Sequence, residues 1–241
     1  MIYKVKLIVA FTIMCLLIFN KILAGQNMTK TQISTAIENA RTGATPDIRQ
    51  QAVEQLVKLT RKINSKDIDD ETLNDFLELL DIPEARRGVS IIFENLESRE
   101  KSVAPKLIQL LIVKARTGET ALGRNQAGVQ LVLSTSRIKP ENIDDKTLND
   151  IIALLDIPED GVSSLAARSL GSLGVRAKIA APKLAQLLIT EECSYQDLWL
   201  YPKLSIADSI RAALKRMGVE PPPPLVRQEC EALFPQIIGL E

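Results

Sequence analysis

Apolar side chains recur at three- and four-residue intervals through most of the chain, the spacing of one face of an α-helix. Ile48, Ala52, Val53, Leu56, Val57 and Leu59 line one face of a helix predicted over 46–62. Leu73, Phe76, Leu77 and Leu80 do the same over 70–80. Two more helices are predicted over 84–97 and 103–115, and the same scheme returns from 121 to 189. The residues between them act as start and stop signals. Thr45 offers a side-chain acceptor just before Pro46, and proline suits a first helical position because its missing N–H is not needed there. Pro105 falls in the first turn of its helix for the same reason. Asp69 and Asp70 set carboxylates at a helix start, beside the free N–H groups and the positive end of the dipole. A helix over 29–41 precedes this array, and another over 203–217 follows it and stops at Gly218. Prolines 221–224 form a stiff extended link before a short helix over 226–234.

Residues 1–24 break the pattern. Lys4 and Lys6 precede an apolar run from Leu7 to Phe19, interrupted only by Thr12. Asn20 and Lys21 close the run, and Ala24 ends a cleavage sequence. This is the three-part layout of a secretory signal peptide. The apolar core of 13 residues is shorter than the roughly 20 that a spanning helix needs. The chain is therefore expected to be exported, periplasmic or secreted, with no membrane span after signal removal. Ile13 and Met14 before Cys15 do not make a lipoprotein box.

The rest of the chain is internally duplicated, which sets its organisation. Ala40-Arg41-Thr42-Gly43 returns as Ala115-Arg116-Thr117-Gly118. Ile68-Asp69-Asp70 returns as Ile143-Asp144-Asp145, and Thr72-Leu73-Asn74-Asp75 as Thr147-Leu148-Asn149-Asp150. Leu79-Leu80-Asp81-Ile82-Pro83-Glu84 returns as Leu154-Leu155-Asp156-Ile157-Pro158-Glu159. All are displaced by 75 residues, whereas Ala104-Pro105-Lys106-Leu107 and Ala181-Pro182-Lys183-Leu184 are displaced by 77. Two residues are thus inserted near 171–176. Four segments follow: a signal peptide (1–24), an N-terminal capping helix (25–44), two tandem four-helix blocks (45–190) and a C-terminal cap (191–241). Helix pairs of this kind cannot bury their apolar faces alone and do so by stacking on their neighbours. The fold class is all-α, an α-α superhelix or solenoid of four to five helix pairs.

The run Ala166-Ala167-Arg168-Ser169-Leu170-Gly171-Ser172-Leu173-Gly174, followed by Ala177, Ala180, Ala181, Pro182 and Leu184, resembles a HEAT repeat. It is similar to the subgroup also seen in phycobilisome lyase-type proteins. The resemblance implies small residues where paired helices cross closely, and a concave side lined by the second helix of each pair. The candidate partner-binding residues on that side are Asn74, Asp75, Glu78, Lys106, Gln109, Lys146, Asn149, Asp150, Lys183 and Gln186. Their charges alternate from helix to helix. Two readings stand: a mixed polar groove for a protein or peptide, or acid–base pairing between neighbouring helices. Trp199 joins the candidates, flanked by Tyr195 and Tyr201, either as an interface aromatic or as cover for the last helix pair.

Composition narrows the chemistry. The chain has no histidine, which excludes Ser-His-Asp and Cys-His triads and histidine-ligated metal sites. Two cysteines remain after signal removal, Cys193 and Cys230, and export favours their joining in a disulfide. That bond would close a 37-residue loop and contribute about 3–4 kcal/mol on a loop-entropy model. No glycine-rich phosphate loop appears, and the glycines of the HEAT-like run are assigned to packing. The acidic starts at 67–71 and 144–145 are assigned to helix capping rather than to a carboxylate or calcium site. The exported portion carries 27 basic and 30 acidic residues, without the basic excess of a nucleic-acid binder. The expectation is a non-enzymatic scaffold or adaptor with a protein or peptide partner, no nucleic acid and no cofactor. The alternatives are a chromophore-handling, lyase-like enzyme and a self-associating structural envelope protein.

Overall fold

The computed structural model describes residues 30–63, 68–99, 103–157, 161–195 and 206–224. Among them are ten α-helices packed on their neighbours, and no strand. They are α1 (30–42), α2 (Pro46–Thr60), α3 (Asp70–Glu78), α4 (Arg86–Arg99), α5 (Val103–Thr117), α6 (Ala121–Arg137), α7 (Asp145–Ala153), α8 (Val162–Ser172), α9 (Ala181–Tyr195) and α10 (Ile206–Arg216). No helix of the described residues is long and apolar enough to cross a membrane. The proposed signal peptide, Trp199, the Cys193–Cys230 pairing and the short helix over 226–234 lie outside what the structure describes.

The helix starts follow the sequence signals. Thr45, Asp69, Thr120 and Asp144 sit in extended backbone, and each side chain accepts a hydrogen bond from an N–H three residues on. The second helix of each block is shorter than its apolar pattern predicts. α3 ends at Glu78 and α7 at Ala153, and each tightens into a 3-10 turn, Leu79–Asp81 and Leu154–Asp156. The cause is the proline two residues after each turn. It drives the residue before it, Ile82 or Ile157, into extended backbone, so the helix cannot run on.

The helices form two rows. In one, α2 packs on α4, α4 on α6, α6 on α8 and α8 on α10. In the other, α3 packs on α5 and α5 on α7. Apolar side chains from both rows meet between them, with Leu56, Phe76, Phe93, Leu107, Leu111, Leu131, Ile151, Leu170 and Leu184 at most 1% exposed. Each such side chain contributes roughly 1.5–3 kcal/mol relative to exposure. The core continues from α1 to α10 without a break.

The duplication is visible in the bonding as well as in the sequence. Arg49 Nη1 donates to the Gly43 carbonyl at 2.9 Å, and Arg124 Nη1 donates to Gly118 at 2.9 Å. The Gly43 N–H returns to Asn39 and the Gly118 N–H to Lys114. The repeated structure therefore includes the end of α1, upstream of the boundary at 45 drawn from apolar spacing. The second block departs from the first after α8. That helix stops at Ser172, Gly174 takes a left-handed φ of +57°, and Gly174–Ala180 forms a 3-10 run.

Glycine closes three steps of the first row. A Cβ on Gly88 would lie 2.0 Å from Val53 of α2, one on Gly128 2.8 Å from Leu165 of α8, and one on Gly171 2.9 Å from the Ala213 Cα of α10. Of the small residues in the 166–184 run, Gly171 thus meets the next helix of the row. The α4–α6 step is different. Ser90, Glu94 and Glu97 of α4 and Gln130, Ser134 and Arg137 of α6 share one spacing, and the ends of the two sets bond: Gln130 to Ser90, and Arg137 to Glu97.

Candidate functional site

Ion pairs set the register of the second row. Lys30, at the start of α1, meets Asp69 just before α3 at 2.6 Å, and Arg41, late in α1, meets Asp75 at 2.8 Å. Lys106, early in α5, pairs with Asp70, early in α3. Lys114, late in α5, reaches Glu78 at 3.1 Å and Asp81, just past α3, at 2.6 Å. Gln109 approaches Thr147 of α7 at 3.5 Å, and Arg116 donates to the Asp150 carbonyl at 3.3 Å. Early meets early and late meets late at every step, so α1, α3, α5 and α7 run parallel.

These contacts decide how most of the charged candidates are engaged. Asp75 is paired with Arg41, Glu78 with Lys114, and Lys106 with Asp70. Lys146 and Asp150 pair within α7 at 3.2 Å, and Lys183 pairs with Asp156 at 2.6 Å. Neighbour pairing, one of the two readings the sequence left open, is thus present throughout the row. Most of these pairs are well exposed, and an exposed pair contributes roughly 0.2–1 kcal/mol. The carboxamides differ. Asn74, Gln109 and Asn149 are exposed on α3, α5 and α7 in turn.

Lys114 is the exception to the exposed pairs, being only 8% exposed. Burial works to lower its pKa, but the Asp81 and Glu78 carboxylates outweigh it, and the net shift is upward. Asp81 also accepts from Thr120, the capping residue of α6, and a Cβ on Gly123 would collide with its carboxylate. Asp81, Lys114 and Thr120 thus form a polar node joining the end of α3 to the α5–α6 turn.

Hollows lie at the seams of the row. Between α3 and α5 is one of about 270 Å³, lined by Asn74, Leu77, Glu78, Leu110, Val113 and Lys114 among others. Val113 is 58% exposed beside it. Between α1 and α3 is one of about 370 Å³, bordered by Ser34, Glu38, Arg41 and Asp75. Asn74, Asp75, Glu78, Lys106 and Gln109 are brought together on adjoining helices, and Lys146, Asn149 and Asp150 continue the row on α7.

Lys183 does not continue it in step. Lys106 pairs with the first-turn aspartate of α3, but its counterpart Lys183 is drawn to Asp156, past the end of α7. Arg176 of the 3-10 run takes the first-turn aspartate, Asp145, instead. Gln186 is exposed on α9, and α9 packs against α10.

The aspartates at the helix starts behave as caps. Asp69 is held below the usual carboxylate range by the Lys30 ammonium first and then by Thr72. Asp144 is lowered by the Thr147 N–H and hydroxyl. No group of three or more acidic, histidine or cysteine side chains converges among the described residues. Glu191 of α9 has its pKa raised by burial.

Arg41 and Arg116 belong to the row without standing among the candidates, although both lie in the repeated Ala-Arg-Thr-Gly. Their signal was available: each stands 34 residues before an aspartate, Asp75 or Asp150, that is itself duplicated. Compared with protein-family models, curated proteins and solved structures, the chain matches none.

Proposed function

We propose that the chain is an exported, HEAT-like α-solenoid adaptor that holds an extended stretch of a protein or peptide partner across the face of α1, α3, α5 and α7. The observation that carries this reading is the parallel, in-register row with one exposed carboxamide on each of α3, α5 and α7. A carboxamide both donates and accepts, so it pairs with the N–H and C=O of an extended backbone whatever its side chains. The ion pairs between helices fix the spacing of these groups, which lowers the ordering cost of binding. The seam hollows beside Val113 and Arg41 supply places for apolar and acidic side chains of the guest. The superhelical form is supported by the two-row order of contacts, and export by the layout of residues 1–24.

A photo-crosslinking residue at Val113, in the exported protein, tests the proposal against the same residue at Gln55, exposed on α2. The expected result is a discrete adduct from the envelope or medium fraction at Val113 only. It should weaken when Asn74, Gln109 and Asn149 are all changed to alanine. Adducts of equal strength from both positions, or from neither, would count against the face.

A further inference from the structure

A cavity lies outside this face, at the α4–α6 step. It has a volume of about 750 Å³ and opens between the C-terminal ends of the two helices. Glu94 and Glu97 of α4, Arg137 and Ile138 at the end of α6, Ala104 of α5, and Lys139 and Glu141 just beyond α6 are among its walls. At the step between α8 and α10, Gly171 lies against Ala213.

Glu97 makes the cavity more than a gap. Its side chain is 4% exposed, so the carboxylate has given up nearly all contact with bulk water. Oε2 accepts from Arg137 Nη1 at 3.1 Å, while Oε1 is buried and has no hydrogen-bond partner. Arg137 is shared, since its other nitrogen lies 3.7 Å from Glu94. Two carboxylates thus face one guanidinium. An unmade bond to a buried charged oxygen costs more than one to a neutral group. A donor arriving from outside would remove that cost.

We propose that this cavity is a binding site for an alkyl cation, an ammonium or guanidinium on an aliphatic stem. The charged end donates to Glu97 Oε1, and with it Arg137 and Lys139 match the three carboxylates Glu94, Glu97 and Glu141 in charge. The stem lies against Ala104 and Ile138. Arg137 holds the Glu97 carboxylate in place and is a positioning residue. The same chemistry comes from a lysine or arginine side chain of a peptide or from a free polyamine. The site stands apart from the α1–α7 face and does not depend on the adaptor reading.

Titration of the full exported chain, followed by calorimetry and by amide and methyl NMR, tests it. The probes are acetyl-arginine amide, acetyl-lysine amide, spermidine and the neutral isostere acetyl-citrulline amide. The expected result is saturable binding of at least one cation, shifts at Ala104 and Ile138, and no binding of the citrulline probe. E97Q should weaken that cation by about tenfold or more. S98W, which fills the mouth from an exposed position of α4, should block it while leaving the fold intact and covers the case in which E97Q fails to fold. Preference for the amino-acid amides identifies a peptide side chain as the source, and preference for spermidine a free amine. Absence of saturable binding by all three cations, equal binding of citrulline, or unchanged affinity in folded S98W overturns the proposal.

Discussion

Single side chains carry unequal weight here, and burial decides which matter. Lys114 is the buried cation among exposed pairs, so its loss strands Asp81 in a partly covered site. K114M is expected to destabilise the protein by about 1–3 kcal/mol, less than for a fully enclosed pair because Glu78 reaches solvent. Urea unfolding of the variant measures this, and no change in midpoint would show the node to be decorative. T120A removes both a cap and a donor to Asp81 and should cost about 1 kcal/mol. The capping aspartates produce a pH effect of definite sign. Asp69 and Asp144 are lowered below an ordinary value of 3.8 in the folded state, so their stabilisation is complete above that value. It is lost as pH falls toward the folded values. D144N keeps a competent cap but no charge, and should flatten the acid limb of the stability profile while leaving neutral stability nearly unchanged. Glu191 runs the other way. Burial raises its pKa, so its ionisation above the unfolded value works against the fold.

For whole elements, the starts and approximate extents of helices were legible because capping is local. Asp69 needs only the N–H of Thr72, three residues on, and the sequence shows both. The choice of packing partner is not local. Gly171 was assignable to packing from its motif, but not to Ala213, which lies 42 residues away on α10. The polar α4–α6 seam was missed because serines, glutamates and a glutamine on one face look like a solvated surface until the facing helix is known. G171A and G128A separate the two kinds of glycine contact. The new methyl at 171 meets backbone that cannot give way, and about 1–3 kcal/mol of destabilisation is expected. At 128 it first meets the end of the Leu165 side chain, which can turn aside, so the cost should be smaller. Thermal unfolding of the pair tests the order, and a reversed order would mean that α8 and α10 separate more easily than this crossing implies.

At the scale of the molecule, the duplication was legible to the residue, and it foretold the two-row order through α7. Its failure point was also marked in the sequence, where the displacement changes from 75 to 77. What those two residues do depends on geometry that no spacing shows. Gly174 ends α8 early, the 3-10 run follows, and Lys183 finds Asp156 instead of Asp145. The charged members of the proposed groove were half legible: alternation was plain, but which acid met which base depended on parallel helices.

The slip at Gly174–Ala180 also makes the face a ruler. Four parallel helices leave three intervals of about 8–10 Å each, a track of roughly 30 Å. An extended chain advances about 3.3 Å per residue, so about nine residues fill it. For a guest captured there, affinity measured on nested synthetic peptides should climb with length up to about nine residues and then level off.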